Sequence, residues 1–131
     1  MKNNEKKKKI LLIEDDPFLS RMYVKKFIDV GCEIITAFDG RKGLALAKKE
    51  HPDLVLLDLI LPEIDGYEVL NELKKNMATA SINVVILSNF FQKKDIERCL
   101  KAGAKDYLIK THCMPSEVVE KVMSILFPIK Q

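Results

Sequence analysis

Five short apolar runs recur along the chain, at residues 10–13, 34–37, 54–57, 84–87 and 107–109. None alternates apolar with polar positions. That is the pattern of strands covered on both faces, as in a parallel sheet between two helix layers. The segments between them have a period near 3.6. Asp16-Pro17 reads as an N-cap followed by proline at the first helical position. Leu19, Met22, Tyr23, Phe27 and Val30 then form one stripe, and Gly31 can end that helix. A second helix is predicted over 41–50, with Leu44 and Ala47 inward and His51-Pro52 as its stop. The third starts near Gly66 and carries Val69, Leu70 and Leu73. The fourth carries Ile96, Cys99 and Leu100 and ends at Gly103. The fifth follows Pro115, with Val118, Val119, Val122, Ile125 and Leu126 inward, and Pro128 terminates it.

The pattern is (βα)5 with short connections. Right-handed crossovers and two helix layers give an α/β fold, a doubly wound sandwich around a five-stranded parallel sheet. Of the two common strand orders, five strands suit 2-1-3-4-5, the flavodoxin-like order. The first and third strands are then neighbours at the point where the winding reverses. Asp15 and Asp58 are expected to face one another there. The chain of 131 residues fits one domain. Residues 1–9 read as a basic solvated arm, 10–127 as the folded domain and 128–131 as a short tail. With five residues after Leu126, no attached effector domain is expected.

Charge changes this picture little. The net charge is +3, but five lysines and one glutamate fall in the first nine residues, so the rest is near neutral. No aromatic residue interleaves those lysines and no recognition helix follows, so nucleic acid is not expected as a partner. Cys32, Cys99 and Cys113 are scattered and odd in number, without a CxxC pair. This fits a reduced, cytoplasmic protein. The apolar runs are too short to span a bilayer, so no membrane role is expected.

The chemistry gathers at the carboxyl ends of the strands. Glu14, Asp15 and Asp16 follow the first strand, Asp58 the third, Ser88 the fourth and Lys110 the fifth. Open α/β sheets place their active crevice at that edge. Clustered carboxylates resist joint ionisation without a cation among them. Hard oxygens of Asp15 and Asp58 suit Mg2+. A carboxylate beside that ion can attack phosphorus, which makes Asp58 a candidate phosphoryl acceptor. Lys110 would neutralise charge on the transferring group, and the Ser88 hydroxyl would bond to one of its oxygens. Asp16 reads better as a helix cap. Asp65-Gly66 reads as a turn and helix start. His112 and Cys113 are adjacent loop residues that do not make a closed metal site.

Four segments carry a resemblance: Ile10-Leu11-Leu12-Ile13-Glu14-Asp15-Asp16-Pro17, Leu56-Leu57-Asp58-Leu59-Ile60-Leu61-Pro62-Glu63-Ile64-Asp65-Gly66, Val85-Ile86-Leu87-Ser88-Asn89 and Gly103-Ala104-Lys105-Asp106-Tyr107-Leu108-Ile109-Lys110. Together they resemble the bacterial response-regulator receiver domain of two-component signalling, in its stand-alone form. The resemblance implies Asp58 as phosphoacceptor, Asp15 as direct Mg2+ ligand and Glu14 as a ligand through water. It implies a further metal contact from the backbone carbonyl of Ile60. Ser88 and Tyr107 match the switch pair, and Lys110 the lysine that assists transfer. The donor would be a histidine kinase or histidine phosphotransferase. An unnamed downstream target would dock on the face of the fourth helix, fifth strand and fifth helix, with a phosphorylation-dependent homodimer as another use of that face. Any enzymatic activity would be limited to self-phosphorylation and slow autodephosphorylation. The positions flanking the attacking water in the family are Ile60 and Phe90 here, neither able to orient it.

Two departures bear on the site. Asn89 stands where the family often has a small residue. Thr111 stands where it often has proline, which leaves open whether the Lys110–Thr111 peptide is cis or trans; a cis bond there costs about 3–4 kcal/mol. Other functions fit less well. A flavodoxin-like electron carrier needs a hydroxyl- or glycine-rich phosphate loop, and Glu14-Asp15-Asp16 would repel a phosphate. An aspartyl phosphohydrolase needs a general acid two residues past its nucleophile, where Ile60 stands. A phosphorylation-independent binding module keeping this fold is the remaining alternative.

Overall fold

A computed structural model describes residues 7–129. Most of the lysine arm and the last two residues lie outside the described part. The elements alternate strictly: β1 (Lys9–Ile13), α1 (Pro17–Asp29), β2 (Glu33–Ala37), α2 (Gly40–Glu50), β3 (Leu54–Leu57), α3 (Gly66–Lys75), β4 (Asn83–Ser88), α4 (Lys93–Lys101), β5 (Asp106–Ile109) and α5 (Pro115–Leu126). All strand pairs are parallel, and the sheet order is β2-β1-β3-β4-β5. This is the doubly wound order expected from the sequence.

The pleat divides each central strand between two cores. Leu11, Ile13, Val55, Leu57, Val84 and Ile86 pack with Ala47, Val69, Leu70, Leu73 and Cys99 of α2, α3 and α4. Ile10, Leu12, Leu54, Leu56, Val85 and Leu87 face the other way, onto Tyr23 and Phe27 of α1 and Val118, Val122 and Leu126 of α5. Each of these buried aliphatic side chains contributes about 1.5–3 kcal/mol. That drive sets the register and so aligns the carboxyl ends of the strands.

Several local expectations need correction. β2 is an edge strand, and its side chains are mostly half-buried rather than covered on both faces. Val30 is not part of the buried stripe; it is the C-cap of α1 and is exposed. Leu100 also points to solvent, which leaves Cys99 as the one buried residue of α4. Lys9 opens β1, pairing with Glu33 across the ladder and with Glu50 through its ammonium at 3.0 Å. Three of the five helix starts use aspartates: Asp16, Asp39 and Asp65 each accept a backbone N–H of the following first turn.

The helix ends differ in chemistry. Gly31 follows α1 at φ +90°, a conformation that suits glycine. His51 caps α2 in the left-handed region, at φ 47° and ψ 60°, where a side chain is disfavoured. We predict that His51→Gly stabilises the fold by about 1 kcal/mol and raises the thermal midpoint by roughly 4 °C. A midpoint that stays level or falls would show that the imidazole holds this turn together.

Candidate functional site

The site sits where β1 and β3 end side by side. The last ladder pair between them is Ile13↔Leu57, and the Asp58 amide donates to the Ile13 carbonyl at 3.0 Å. Glu14 and Asp58 therefore leave the sheet at the same level. Both are buried, at 2% and 6% exposure, while Asp15 stands one residue further out and is exposed. The register thus sets Glu14 level with Asp58, and a carboxylate oxygen of Asp15 also lies within 4.8 Å of Asp58.

Lys110 closes the arrangement. Its backbone follows β5, and its amide donates to the Ser88 carbonyl at 2.9 Å. Its ammonium donates to Glu14 Oε1 at 2.7 Å and to Asp58 Oδ2 at 2.9 Å. Burial pulls the Lys110 pKa down, but the hydrogen bonds to Glu14 and Asp58 outweigh it and leave it raised. For Glu14, burial raises the pKa against the pull of Lys110 and of the Asp16 amide, which donates to Oε2 at 3.1 Å. The other Asp58 oxygen, Oδ1, accepts from the Ile60 amide at 3.2 Å. Asp58 is thus oriented by one cation and one backbone donor.

Oxygens of Glu14, Asp15 and Asp58 lie within 4.8 Å of one another. Three hard carboxylate donors around a gap of that size fit a divalent cation such as Mg2+. Glu14 is one of the three carboxylates, with its Oε1 engaged by Lys110.

Ser88 ends β4 and is fully buried. Its hydroxyl oxygen accepts from the Phe90 amide at 3.1 Å. The Tyr107 hydroxyl donates to the Phe90 carbonyl at 2.7 Å, with the ring packed inward. Burial raises the Tyr107 pKa, so it stays a phenol and a donor. The backbone of one residue, Phe90, therefore links both switch candidates through its amide and its carbonyl. Sequence reasoning named Phe90 only for its side chain; a backbone link of this kind leaves no signal in residue types. The side chains of Ile60 and Phe90 are about half exposed, at 52% and 48%. The Lys110–Thr111 peptide is trans, as are all peptides among the described residues. The His112 amide turns back to the Ile109 carbonyl at 2.9 Å, so a threonine is accommodated without a cis bond.

The response regulator receiver domain family matches residues 10–123. The chain belongs to that family. Receivers act as phosphoacceptors in two-component signalling and bind Mg2+ at an acidic pocket. This receiver is 35% identical over 120 residues to the probable transcriptional regulator ycf27 of Porphyridium aerugineum, covering 92% of the chain and 48% of the relative. It spans about half the length of the curated relatives it matches. Two solved structures are each 30% identical. One is the phosphorylated cyanobacterial phytochrome response regulator RcpA (TM-score 0.81; 95% of this chain, 98% of that one). The other is the Mn2+-bound form of response regulator Rcp1 (TM-score 0.79; 95% and 97%).

The ion triad makes a quantitative prediction. Lys110→Met leaves Glu14 and Asp58 buried without their cation. We predict a loss of roughly 3 kcal/mol in urea denaturation without metal, lessened to the extent that one carboxyl takes up a proton. Millimolar Mg2+ is expected to restore part of it. A loss under about 1 kcal/mol, the value of an exposed pair, would mean that the triad is solvated.

Proposed function

We propose that Asp58 accepts a phosphoryl group from a phosphohistidine on a histidine kinase or histidine phosphotransferase. The observation that carries this reading is the Asp58 carboxylate itself. It is held between the Lys110 ammonium and the Ile60 amide, beside two further acids at the carboxyl edge of the sheet. An Asp58 oxygen forms the new bond to phosphorus, and the phosphorus–nitrogen bond to the donor imidazole breaks. The imidazole nitrogen keeps the electron pair and takes a proton. Lys110 neutralises charge on the equatorial oxygens, and the Ser88 hydroxyl donates to one of them. Asp15, Asp58 and the Ile60 carbonyl would hold Mg2+, with Glu14 reached through water. Bound there, Mg2+ would draw the phosphoryl oxygens toward the carboxylate and offset their charge.

The product shifts a pre-existing equilibrium of the output surface. Ser88 and Tyr107 both hold the backbone of Phe90, which leads into α4. Of the helices, α4 is suited to move. It buries only Cys99, and its N-cap residue Gln92 makes no side-chain capping bond. A side-chain tie to α3 is the Arg98 guanidinium stacked 3.4 Å from the Tyr67 ring centroid. The face of α4, β5 and α5 then serves a downstream protein or a second receiver. The cytoplasm is the compartment that suits this chemistry. Among the described residues no helix is long and apolar enough to cross a membrane.

Incubation with Mg2+ and a small phosphodonor, read by intact mass, tests the assignment. Wild type is expected to gain one phosphoryl group and Asp58→Asn none. Asp15→Ala is expected to label poorly and to bind Mg2+ more weakly. Equal labelling of the asparagine variant would remove Asp58 from its role.

The half-exposed Ile60 and Phe90 side chains flank the approach of water to the aspartyl phosphate, and neither can orient it. Decay is therefore predicted to be slow for a receiver. An Ile60→Asn, Phe90→Glu double variant should lose its label faster, by roughly tenfold if a positioned water base is restored. Equal or slower decay of that variant would show that these side chains do not gate the water.

A further inference from the structure

Nothing in its chemistry marks Gly66 for a role at the site. It is the first residue of α3, eight positions past Asp58, and it is buried. Its place in space is more telling. The Gly66 amide donates to the Leu59 carbonyl at 2.8 Å and so closes the loop between β3 and α3 against its own start. A Cβ added at Gly66 would stand 2.6 Å from the Leu59 Cα and 2.9 Å from the Asp58 carbonyl carbon. It would come closer still to the Asp58 carbonyl oxygen. All three atoms are backbone, so no rotamer change relieves the contact.

The opposite side of Asp58 is fixed as well. Its amide is held by the Ile13 carbonyl at 3.0 Å, within a ladder whose side chains are fully buried. Asp58 thus lies between a rigid strand and a glycine in direct backbone contact. We propose that Gly66 is a positioning residue for the phosphoacceptor. The bare Cα sets how far the Asp58 peptide reaches from the strand end, and hence where its carboxylate meets Lys110, the metal ligands and the incoming phosphorus. This rests on Asp58 being the acceptor.

The size of the effect follows from the distances. Real Cβ atoms essentially never approach a neighbour closer than 3.0 Å. The Leu59 Cα must therefore yield by about 0.4 Å, and the Asp58 carbonyl by more. A misplacement of about 1 Å costs about 10²-fold in rate. Gly66→Ala is thus expected to lower the labelling rate per folded molecule by roughly tenfold or more.

The comparison variant is Gly31→Ala. It strains the backbone at φ +90°, but its new Cβ meets nothing within 4 Å, and it lies at the far edge of the sheet. It reports what lost stability alone does to labelling. Each protein is incubated with Mg2+ and a small phosphodonor. The rate comes from intact mass, the folded fraction from circular dichroism and the Mg2+ affinity from calorimetry. The expected result is that Gly66→Ala labels slowly and binds Mg2+ more weakly per folded molecule, while Gly31→Ala matches wild type in both. Labelling of Gly66→Ala within twofold of Gly31→Ala overturns the proposal. If Gly66→Ala does not fold, it is repeated in a His51→Gly background. Failure to fold there too assigns Gly66 to the fold alone and also overturns the proposal. The two readings fail differently. If wild type itself takes no label at Asp58, the acceptor assignment falls; if wild type labels and Gly66→Ala labels equally, only the role of Gly66 falls.

Discussion

The structure depends on one buried ion cluster. The Lys110 ammonium donates to Glu14 at 2.7 Å and to Asp58 at 2.9 Å, with both carboxylates almost closed to solvent. Two buried carboxylates with no cation would force one to take a proton. Lys110 supplies one positive charge to the two carboxylates and, through its hydrogen bond to Oδ2, orients Asp58. This cluster draws on three strands at once, β1, β3 and β5. It exists only because the sheet order brings their carboxyl ends to one edge.

The same cluster explains why a divalent cation suits the site and why the lysine is not enough. Lys110 approaches Glu14 and Asp58, while the exposed Asp15 completes a set of three oxygens within 4.8 Å. A metal bound there would compete with the ammonium for the same carboxylates. Under the proposed phosphoryl transfer, the ammonium and a metal held by these carboxylates would share the neutralisation of charge. The β4 side of the crevice is neutral by contrast. Ser88 and Tyr107 offer hydroxyls and hold the backbone of Phe90 between them. The chain therefore separates the charge chemistry, on β1, β3 and β5, from the hydrogen-bond link toward α4.

Packing explains which parts are rigid. The central strands β1, β3 and β4 are buried on both faces, so the backbone that carries Glu14 and Asp58 has little freedom. α4 is held by buried Cys99, half-buried Ile96 and an arginine–tyrosine stack. The proposed signal transfer needs both properties: a site rigid enough for phosphoryl transfer and a neighbouring helix loose enough to respond to it.

Much of this was legible in the residues. Runs without alternation identified buried parallel strands, and the 3.6-residue stripes identified all five helices. The winding rules then placed Asp15, Asp58, Ser88 and Lys110 on one edge, since strand ends are fixed by topology once the order is known. The misjudged positions share a cause. Val30 and Leu100 are apolar residues at helical spacing, and only the termination of α1 and the shallow seating of α4 turned them outward. β2 reads as a core strand, but its place at the sheet edge leaves it half-covered. The tertiary structure alone decided the contacts that cross the chain. The ladder register, rather than residue type, made Glu14 the partner of Lys110. The amide and carbonyl of Phe90 join Ser88 to Tyr107 through main-chain atoms that no side-chain pattern encodes. Gly66 touches the Asp58 carbonyl because a loop folds back on itself. Sequence patterns report which face a side chain prefers; distances between backbones are settled only when the elements pack.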